Sequence, residues 1–187
     1  WFDTENYDTS ILGNRIAGVL AWVLPTHGVS YQTGSGIVLH GEGSGVTILG
    51  STIGLNANEE PLGSVTGIES VHFFYPVGIQ EVTIGGTVPG EGNVIAGHLG
   101  AGISVANSYS GVRISGNSIH DNGGLGIDLI TSLFEAGATL NDPLDLDVGG
   151  NGLQNFPEVQ SAVTDGIELV VTGTLDSVPS AAFTLEF

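Results

Sequence analysis

A short glycine-isoleucine phrase recurs along the chain, and its spacing limits the folds that are open to the sequence. The phrase occurs four times, at Gly36-Ile37, Gly67-Ile68, Gly102-Ile103 and Gly126-Ile127. After each of the first three come a Val-x-Ile phrase and a further isoleucine, at Val46-Thr47-Ile48 and Ile53, Val82-Thr83-Ile84 and Ile95, and Val112-Arg113-Ile114 and Ile119. The unit that begins at Gly102 is 24 residues long, and the two before it reach 31 and 35 residues by insertions between the phrases. A constant unit with insertions at its corners indicates a repeat architecture.

The alternation of residues inside each phrase predicts short β-strands. Val46 and Ile48 point to one side of such a strand and Thr47 to the other. When coils stack, strand lies on strand about 4.8 Å apart, so that each Val or Ile meets its counterpart in the next coil. We therefore predict an all-β fold, a right-handed parallel β-helix (β-solenoid) over residues 1–137. An antiparallel sandwich is the structural alternative, although sandwiches rarely repeat their sequence coil by coil. Helices are disfavoured by the 31 glycines and 7 prolines.

The composition limits the classes of molecule and surface that the chain is expected to bind. Two basic residues, Arg15 and Arg113, stand against 20 acidic ones, and the net charge is −18. Binding to nucleic acid or to an anionic membrane surface is not expected, because both need basic patches. The sequence contains no run of 18 apolar residues, so membrane insertion is not expected. Because the sequence opens at Trp1 without a signal peptide, we expect a mature or excised piece of an exported protein, extracellular or at the cell surface.

Two further segments follow the predicted coils. Residues 138–157 form an acidic loop, and residues 158–187 are predicted to hold β-strands, at 167–173 and 182–187, joined by a turn that contains Pro179. Two strands alone are marginally stable in water. We therefore expect either an incomplete module or strands that pair with another subunit.

Asn14 and Asn117 occupy the same place in their coils, two residues before the third isoleucine. A buried asparagine there would bond its amide to the turn backbone and to the coil above, which predicts a ladder of asparagines. The alternative is that these residues only tolerate a left-handed turn. Both interpretations are structural.

The acidic loop contains the strongest chemical pattern of the sequence, Asn141-Asp142-Pro143-Leu144-Asp145-Leu146-Asp147 followed by Val148-Gly149-Gly150-Asn151. Closely spaced oxygen ligands and glycines that permit a sharp turn suit a hard cation such as calcium. The candidate ligands are Asp142, Asp145, Asp147 and Asn151. The match to an EF-hand is poor, since no glutamate closes the loop. The alternative is a solvated linker whose aspartates cap turns.

Several phrases resemble the right-handed β-helix repeat regions of large secreted or surface-attached bacterial proteins, within the pectate-lyase-like superfold. They are residues 92–97, 114–119, 124–129 and, most specifically, Asn151-Gly152-Leu153-Gln154-Asn155-Phe156-Pro157. The resemblance implies export and a repetitive scaffold, without implying one activity. It also implies that the chain is the carboxyl-terminal end of a longer coil stack with the first strands of a following β module. Ser51 and His98 depart from the pattern, which favours asparagine at both places.

The residues that an enzyme would need are few. A lyase on this scaffold would need an arginine or lysine base, but Arg15 and Arg113 have no second basic partner nearby in sequence. A hydrolase would need converging carboxylates, and the candidates are Glu69 and Asp128, which are predicted to face outward two rungs, or about 10 Å, apart. The five histidines lack a repeating third ligand and are expected to be exposed turn residues: His27, His40, His72, His98 and His120.

Aromatic residues at the corners are the candidate binding residues: Trp22, Phe73, Phe74, Tyr75 and Tyr109. They could stack on sugar rings or bury against a neighbouring subunit, or they could fold over an open side of the coil as a small core.

We expect a non-enzymatic extracellular scaffold, adhesin or fibre-forming module that self-associates or displays corner loops. The alternative is a carbohydrate-active enzyme or glycan-binding β-helix that acts on a polysaccharide.

Overall fold

Three parallel β-sheets form the body of the molecule in the computed structural model. The structure describes residues 2–3, 9–18, 22–26, 29–40, 45–71, 81–107, 109–131 and 137–186. Its strands are numbered β1 to β17 along the chain. Sheet A consists of β1 (Phe2–Asp3), β6 (Ser35–His40), β9 (Thr66–Ser70), β12 (Ile103–Val105) and β15 (Ile127–Leu129). Sheet B consists of β2 (Thr9–Leu12), β7 (Val46–Leu49), β10 (Thr83–Ile84) and β13 (Arg113–Ile114). Sheet C consists of β3 (Arg15–Ile16), β8 (Thr52–Ile53), β11 (Val94–Ala96) and β14 (Ser118–His120).

Each of the first four coils contributes one strand to every sheet, and β15 adds a fifth strand to sheet A. Neighbouring strands in a sheet come from successive coils. All pairings within the three sheets are parallel. The predicted parallel β-helix is therefore confirmed. Within the described residues, no helix is long and apolar enough to span a membrane.

The core is a set of isoleucine stacks, one inside each sheet. Ile48 pairs with Ile84 in sheet B, and Ile53 pairs with Ile95 in sheet C. All four side chains are at most 1% exposed. Full burial of such a side chain stabilises the fold by about 1.5–3 kcal/mol. The outward-facing residues stack in the same way, because Thr83 lies in register with Thr47 on one side and Arg113 on the other.

The glycines of the recurring phrase are needed where coils approach closely. A Cβ atom on Gly102 would lie 2.6 Å from Ile119 Cγ2 and 2.8 Å from the Gly126 carbonyl oxygen. We expect Gly102→Ala to lower the free energy of unfolding by about 1–3 kcal/mol in urea denaturation, because the coils must shift to admit the methyl group. Gly126→Ala is the matched control, since its nearest neighbour would be 3.6 Å away. Equal losses in both variants would contradict this explanation.

Two antiparallel hairpins accompany the coils. One pairs β4 (Trp22–Thr26) with β5 (Val29–Thr33), in the connection between β3 and β6. The other pairs β16 (Glu158–Thr164) with β17 (Leu169–Thr174), and every residue of β16 is exposed.

The second hairpin differs from the sequence prediction, which paired residues 167–173 with 182–187. Residues 182–186 form no strand, and β17 pairs with the segment before it. The reason is a tight turn in which Asp165 Oδ1 accepts the N–H groups of Ile167 and Glu168 at 2.9 Å each. After β17, Pro179 and the positive φ of 62° at Ser180 interrupt extended backbone.

Candidate functional site

A ladder of polar side chains joins successive coils at one corner. Asn93, 1% exposed, accepts the Ser51 N–H on Oδ1 at 2.9 Å and donates from Nδ2 to the Ile48 carbonyl at 2.9 Å. Asn117 does the same one coil lower, where its Oδ1 accepts the Asn93 N–H at 3.0 Å and its Nδ2 donates to the Ile84 carbonyl at 2.8 Å. The predicted ladder is confirmed for Asn117, and Asn93 belongs to it. It is wrong for Asn14, which is exposed and whose side chain bonds the Leu12 carbonyl of its own coil; there the Ser51 hydroxyl accepts the Asn14 N–H at 3.1 Å.

A second ladder runs along another corner, and here a histidine replaces asparagine. His98 Nδ1 accepts the Ser64 N–H at 3.2 Å, while Nε2 lies 3.2 Å from the Ile53 carbonyl oxygen. Asn122, one coil lower, accepts the His98 N–H at 3.1 Å and donates to the Ile95 carbonyl at 3.1 Å. These partners assign the neutral imidazole with its proton on Nε2. Burial lowers the pKa of His98.

The prediction that all five histidines are exposed is therefore wrong for His98, which is 3% exposed. His120 is exposed and pairs with Asp121 at 2.8 Å. His27 and His72 lie outside the described residues, and the side chain of His40 is also outside them.

The phrase from Asn151 to Pro157 closes the lower end of the coil stack. Asn151 Oδ1 accepts the Val112 N–H, and its Nδ2 donates to the Val112 carbonyl, both at 2.8 Å. Leu153 is 5% exposed and lies within the short 3₁₀ segment Gly150–Leu153. The sequence placed Asn151 among the metal ligands. Its side chain instead belongs to the last coil, because both its Oδ1 and its Nδ2 are hydrogen-bonded to the backbone of Val112.

Asn155, 3% exposed, ties the acidic loop to this phrase. Its Oδ1 accepts the Asp142 N–H at 3.1 Å, and its Nδ2 donates to the carbonyls of Asp142 and Asp176 at 2.7 and 2.8 Å. Asp145 accepts the Asn155 N–H at 3.0 Å and the Ser177 hydroxyl at 2.6 Å. The loop, the phrase and the segment after β17 therefore meet at one point, which we call the junction.

Three carboxylates converge at the junction. One oxygen from each of Asp142, Asp145 and Asp147 lies within 4.8 Å of the others. Asp142 Oδ1 and Asp147 Oδ1 are buried and have no hydrogen-bond partner among the described residues. Partial burial and the negative charges of Asp142 and Asp145 raise the pKa of Asp147. An all-oxygen donor set with two unpartnered buried oxygens fits a hard cation such as calcium.

The two candidate carboxylates of a hydrolase lie where the sequence predicted, on the outward face of sheet A. Ser104 is in register with Glu69 on one side and Asp128 on the other, so the two acids are two rungs apart. Asp128 is 4% exposed and accepts the Gly137 N–H at 3.1 Å, and Glu69 accepts the Ser35 hydroxyl. Burial raises the pKa of both carboxyl groups. Asp128 is thus covered rather than presented to a polymer.

Of the aromatic candidates, Tyr109 has a clear place. It is 0% exposed, belongs to the main core and donates from its hydroxyl to the Leu39 carbonyl at 2.9 Å. It therefore packs against the coil and is not available to a sugar ring. Phe73, Phe74 and Tyr75 lie outside the described residues, and Trp22 lies in β4 with its side chain outside them.

The two arginines lie far apart along the coils. Arg15 pairs with Glu59 at 3.0 Å and donates to the Asn56 carbonyl at 2.5 Å. Arg113 lies exposed on the outward face of β13 and lowers the pKa of Glu186 as the weakest of several causes, after the hydrogen bonds from Gly116 and Ser115.

Comparisons with known proteins found no matching family model, no matching curated protein and no matching solved structure.

Proposed function

We propose that the chain is a non-enzymatic extracellular scaffold, an adhesin or fibre-forming module that self-associates and displays its corners. The observation that carries this proposal is that buried polar side chains form hydrogen bonds between coils. Asn93, His98 and Asn117 each bond backbone groups of the coil above. Such ladders make a rigid column, which is useful for spacing and display.

The cover over Asp128 of sheet A supports the same proposal. A glycoside hydrolase needs one carboxyl group to protonate the leaving oxygen and another to act on the opposite side of the sugar. Asp128 is bonded to Gly137 and is 4% exposed, so a polysaccharide would have to displace Gly137 to bond this carboxyl group in its place. A scaffold needs no such displacement.

Calcium is the cofactor that we propose for the junction. Asp142, Asp145 and Asp147 would supply carboxylate oxygens, and the bound ion would offset the partial burial and the mutual repulsion that raise the pKa of Asp147. The chain carries only two arginines and no lysine, so a bound cation is the simplest source of positive charge there. Extracellular modules commonly bind calcium with a Kd near 0.1–1 mM. The ion would stiffen the connection between the coils and the terminal hairpin.

We expect 10 mM calcium to raise the melting temperature of the protein at pH 7.5 by about 3–6 °C, the shift given by a Kd of about 1 mM. Asp147→Asn should remove most of this shift. The shift should also shrink at pH 5, because the ligands must be ionised. Glu168→Gln, which removes an exposed acid next to β17, is the control and should respond like the wild type. An equal calcium shift in Asp147→Asn would refute the site.

The alternative, a carbohydrate-active enzyme, is favoured by one observation. Glu69 and Asp128 share one face two rungs apart, and burial raises both pKa values, as suits a general acid. A panel of neutral and acidic polysaccharides, assayed for new reducing ends and for unsaturated products, separates the two functions. We expect the wild type to release no more reducing ends or unsaturated products than Glu69→Gln does. If the wild type released products and Glu69→Gln did not, the enzyme would be established and the scaffold overturned.

A further inference from the structure

The segment after the terminal hairpin lies against the last coil. Glu186 accepts the Ser115 hydroxyl and the Gly116 N–H, each at 2.7 Å. The hydrogen bond from Gly116, then that from Ser115, and then the charge of Arg113 lower the pKa of Glu186. This carboxylate is therefore held ionised by two donors and a neighbouring cation.

Glu186 occupies the place that the backbone of a further coil would take. Three coils above Gly116, the Gly13 N–H donates to the Leu49 carbonyl of the coil below it, and two coils above Gly116 the Gly50 N–H donates to the Glu91 carbonyl at 2.9 Å. Gly116 has the same position after β13, the last strand of sheet B. Among the described residues its N–H bonds to Glu186 instead of a carbonyl. The side chain thus caps an otherwise free sheet edge.

An apolar cleft of about 690 Å³ adjoins this cap. It lies under the last coil, and its walls include Ile114, Ile127, Phe156 and Leu185. Ile127 continues the isoleucine stack of sheet A but is 42% exposed, whereas Ile103 above it is 1% exposed. The end of the core is therefore only partly covered, and the segment that carries Leu185 supplies part of the cover.

The cover is loosely held. Residues 182–186 form no strand, and Phe183 and Leu185 are 38% and 49% exposed. Residues 178–181, which lead to the segment, are exposed as well. Few contacts and exposed hydrogen bonds describe an element that detaches at low free-energy cost.

We propose that residues 182–186 exchange between copies of the chain, so that Glu186 of one copy binds Ser115 and Gly116 of another. This proposal rests on the proposed function, in which copies of the chain self-associate, and it specifies the residues that would form the contact between them. An element that docks within its own chain also fits the identical site of a second copy, which is a low-cost route to association. Reciprocal exchange gives a closed dimer, and one-way exchange gives an open fibre.

The charge of the chain favours this contact over others. With a net charge of −18, two copies repel each other over most of their surface. Arg113 is one of two basic residues, and the other, Arg15, is paired with Glu59. A carboxylate that binds beside Arg113 therefore gains an attraction that the rest of the surface does not offer.

Two variants of the full chain test the exchange. Glu186→Ala removes the inserted carboxylate, and the double variant Arg113→Thr with Ser115→Ala removes the cation and one donor of the receiving site. Sedimentation velocity over a concentration series should show the wild type associating. Neither variant alone should associate more tightly than the wild type, because each loses the same contact within its own chain and between chains. Glu168→Ala is the control and should associate like the wild type. Circular dichroism checks that each variant is folded.

A mixture of the two variants gives the decisive result. The first keeps an intact receiving site and the second keeps an intact segment, so an equimolar mixture should form heterodimers through one intact contact, detected by native mass spectrometry. A mixture as weakly associated as its components would overturn the exchange. If the wild type and both variants associate equally and the mixture forms no more dimer than its components do, self-association stands and the exchange is wrong. If the wild type stays monomeric, the contact is only intramolecular, and both the exchange and self-association are wrong.

Discussion

Replacing Asn93 with alanine is expected to lower the free energy of unfolding by about 3–5 kcal/mol, the largest effect of any single change in the ladders. The substitution leaves the Ser51 N–H and the Ile48 carbonyl without their partner and removes the bond to Asn117 Oδ1. Each buried group left unsatisfied costs about 1–3 kcal/mol. Urea denaturation followed by circular dichroism measures the change.

Asn14→Ala is the matched control for that experiment. Asn14 has the same place in the first coil, but it is exposed and its side chain bonds only the Leu12 carbonyl among the described residues, at 3.0 Å. We expect a loss of about 1 kcal/mol or less there. If the two variants were equally destabilised, burial in the ladder would not explain the role of Asn93.

The stability of the protein should fall on mild acidification because of His98. Its pKa is lowered in the folded state by burial, and its unfolded value is about 6.5. Below pH 6.5 the unfolded chain therefore binds a proton that the folded chain resists. The contribution of neutral His98 is complete above pH 6.5 and is lost as the pH falls toward the lower folded pKa, at no more than about 1.4 kcal/mol per pH unit.

The variant His98→Asn isolates this effect. Asn122 makes the equivalent bonds one coil lower with an amide, so we expect the variant to lie within about 1 kcal/mol of the wild type at pH 7.5. From pH 7 to pH 5 the wild type should lose stability relative to the variant. The comparison is needed because the raised pKa values of Glu69 and Asp128 act in the opposite direction, removing stability as the pH rises through them. Parallel pH profiles for the two proteins would show that His98 does not titrate on unfolding.

The coils could be predicted because their physical signal is local and repeated. Ile48, Ile84 and Ile114 recur with the same neighbours in sequence, and the same residues stack in sheet B. The terminal hairpin was less predictable. Whether β17 pairs with the segment before it or after it depends on the turn at Asp165, and both segments have strand-like sequences.

The site was predicted in part. The acidic spacing pointed to Asp142, Asp145 and Asp147, but Asn151 looks the same in sequence and bonds Val112 instead. A contact across 39 residues has no local signature. The roles of Asn155 and Glu186 were missed for the same reason. His98 was noted as a departure from an asparagine pattern, and its burial could have been inferred by treating the imidazole as an amide with one donor and one acceptor.

Engineered cysteine pairs test the register of the coils, on which every assignment above depends. The chain has no cysteine of its own. Thr83→Cys with Arg113→Cys joins adjacent rungs in register, about 4.8 Å apart and within the 4.4–6.8 Å that a disulfide spans. Thr47→Cys with Arg113→Cys is two rungs apart, about 10 Å. On mild oxidation of dilute protein we predict an intramolecular disulfide in the first pair and none in the second. A disulfide in the second pair without one in the first would contradict the parallel β-helix.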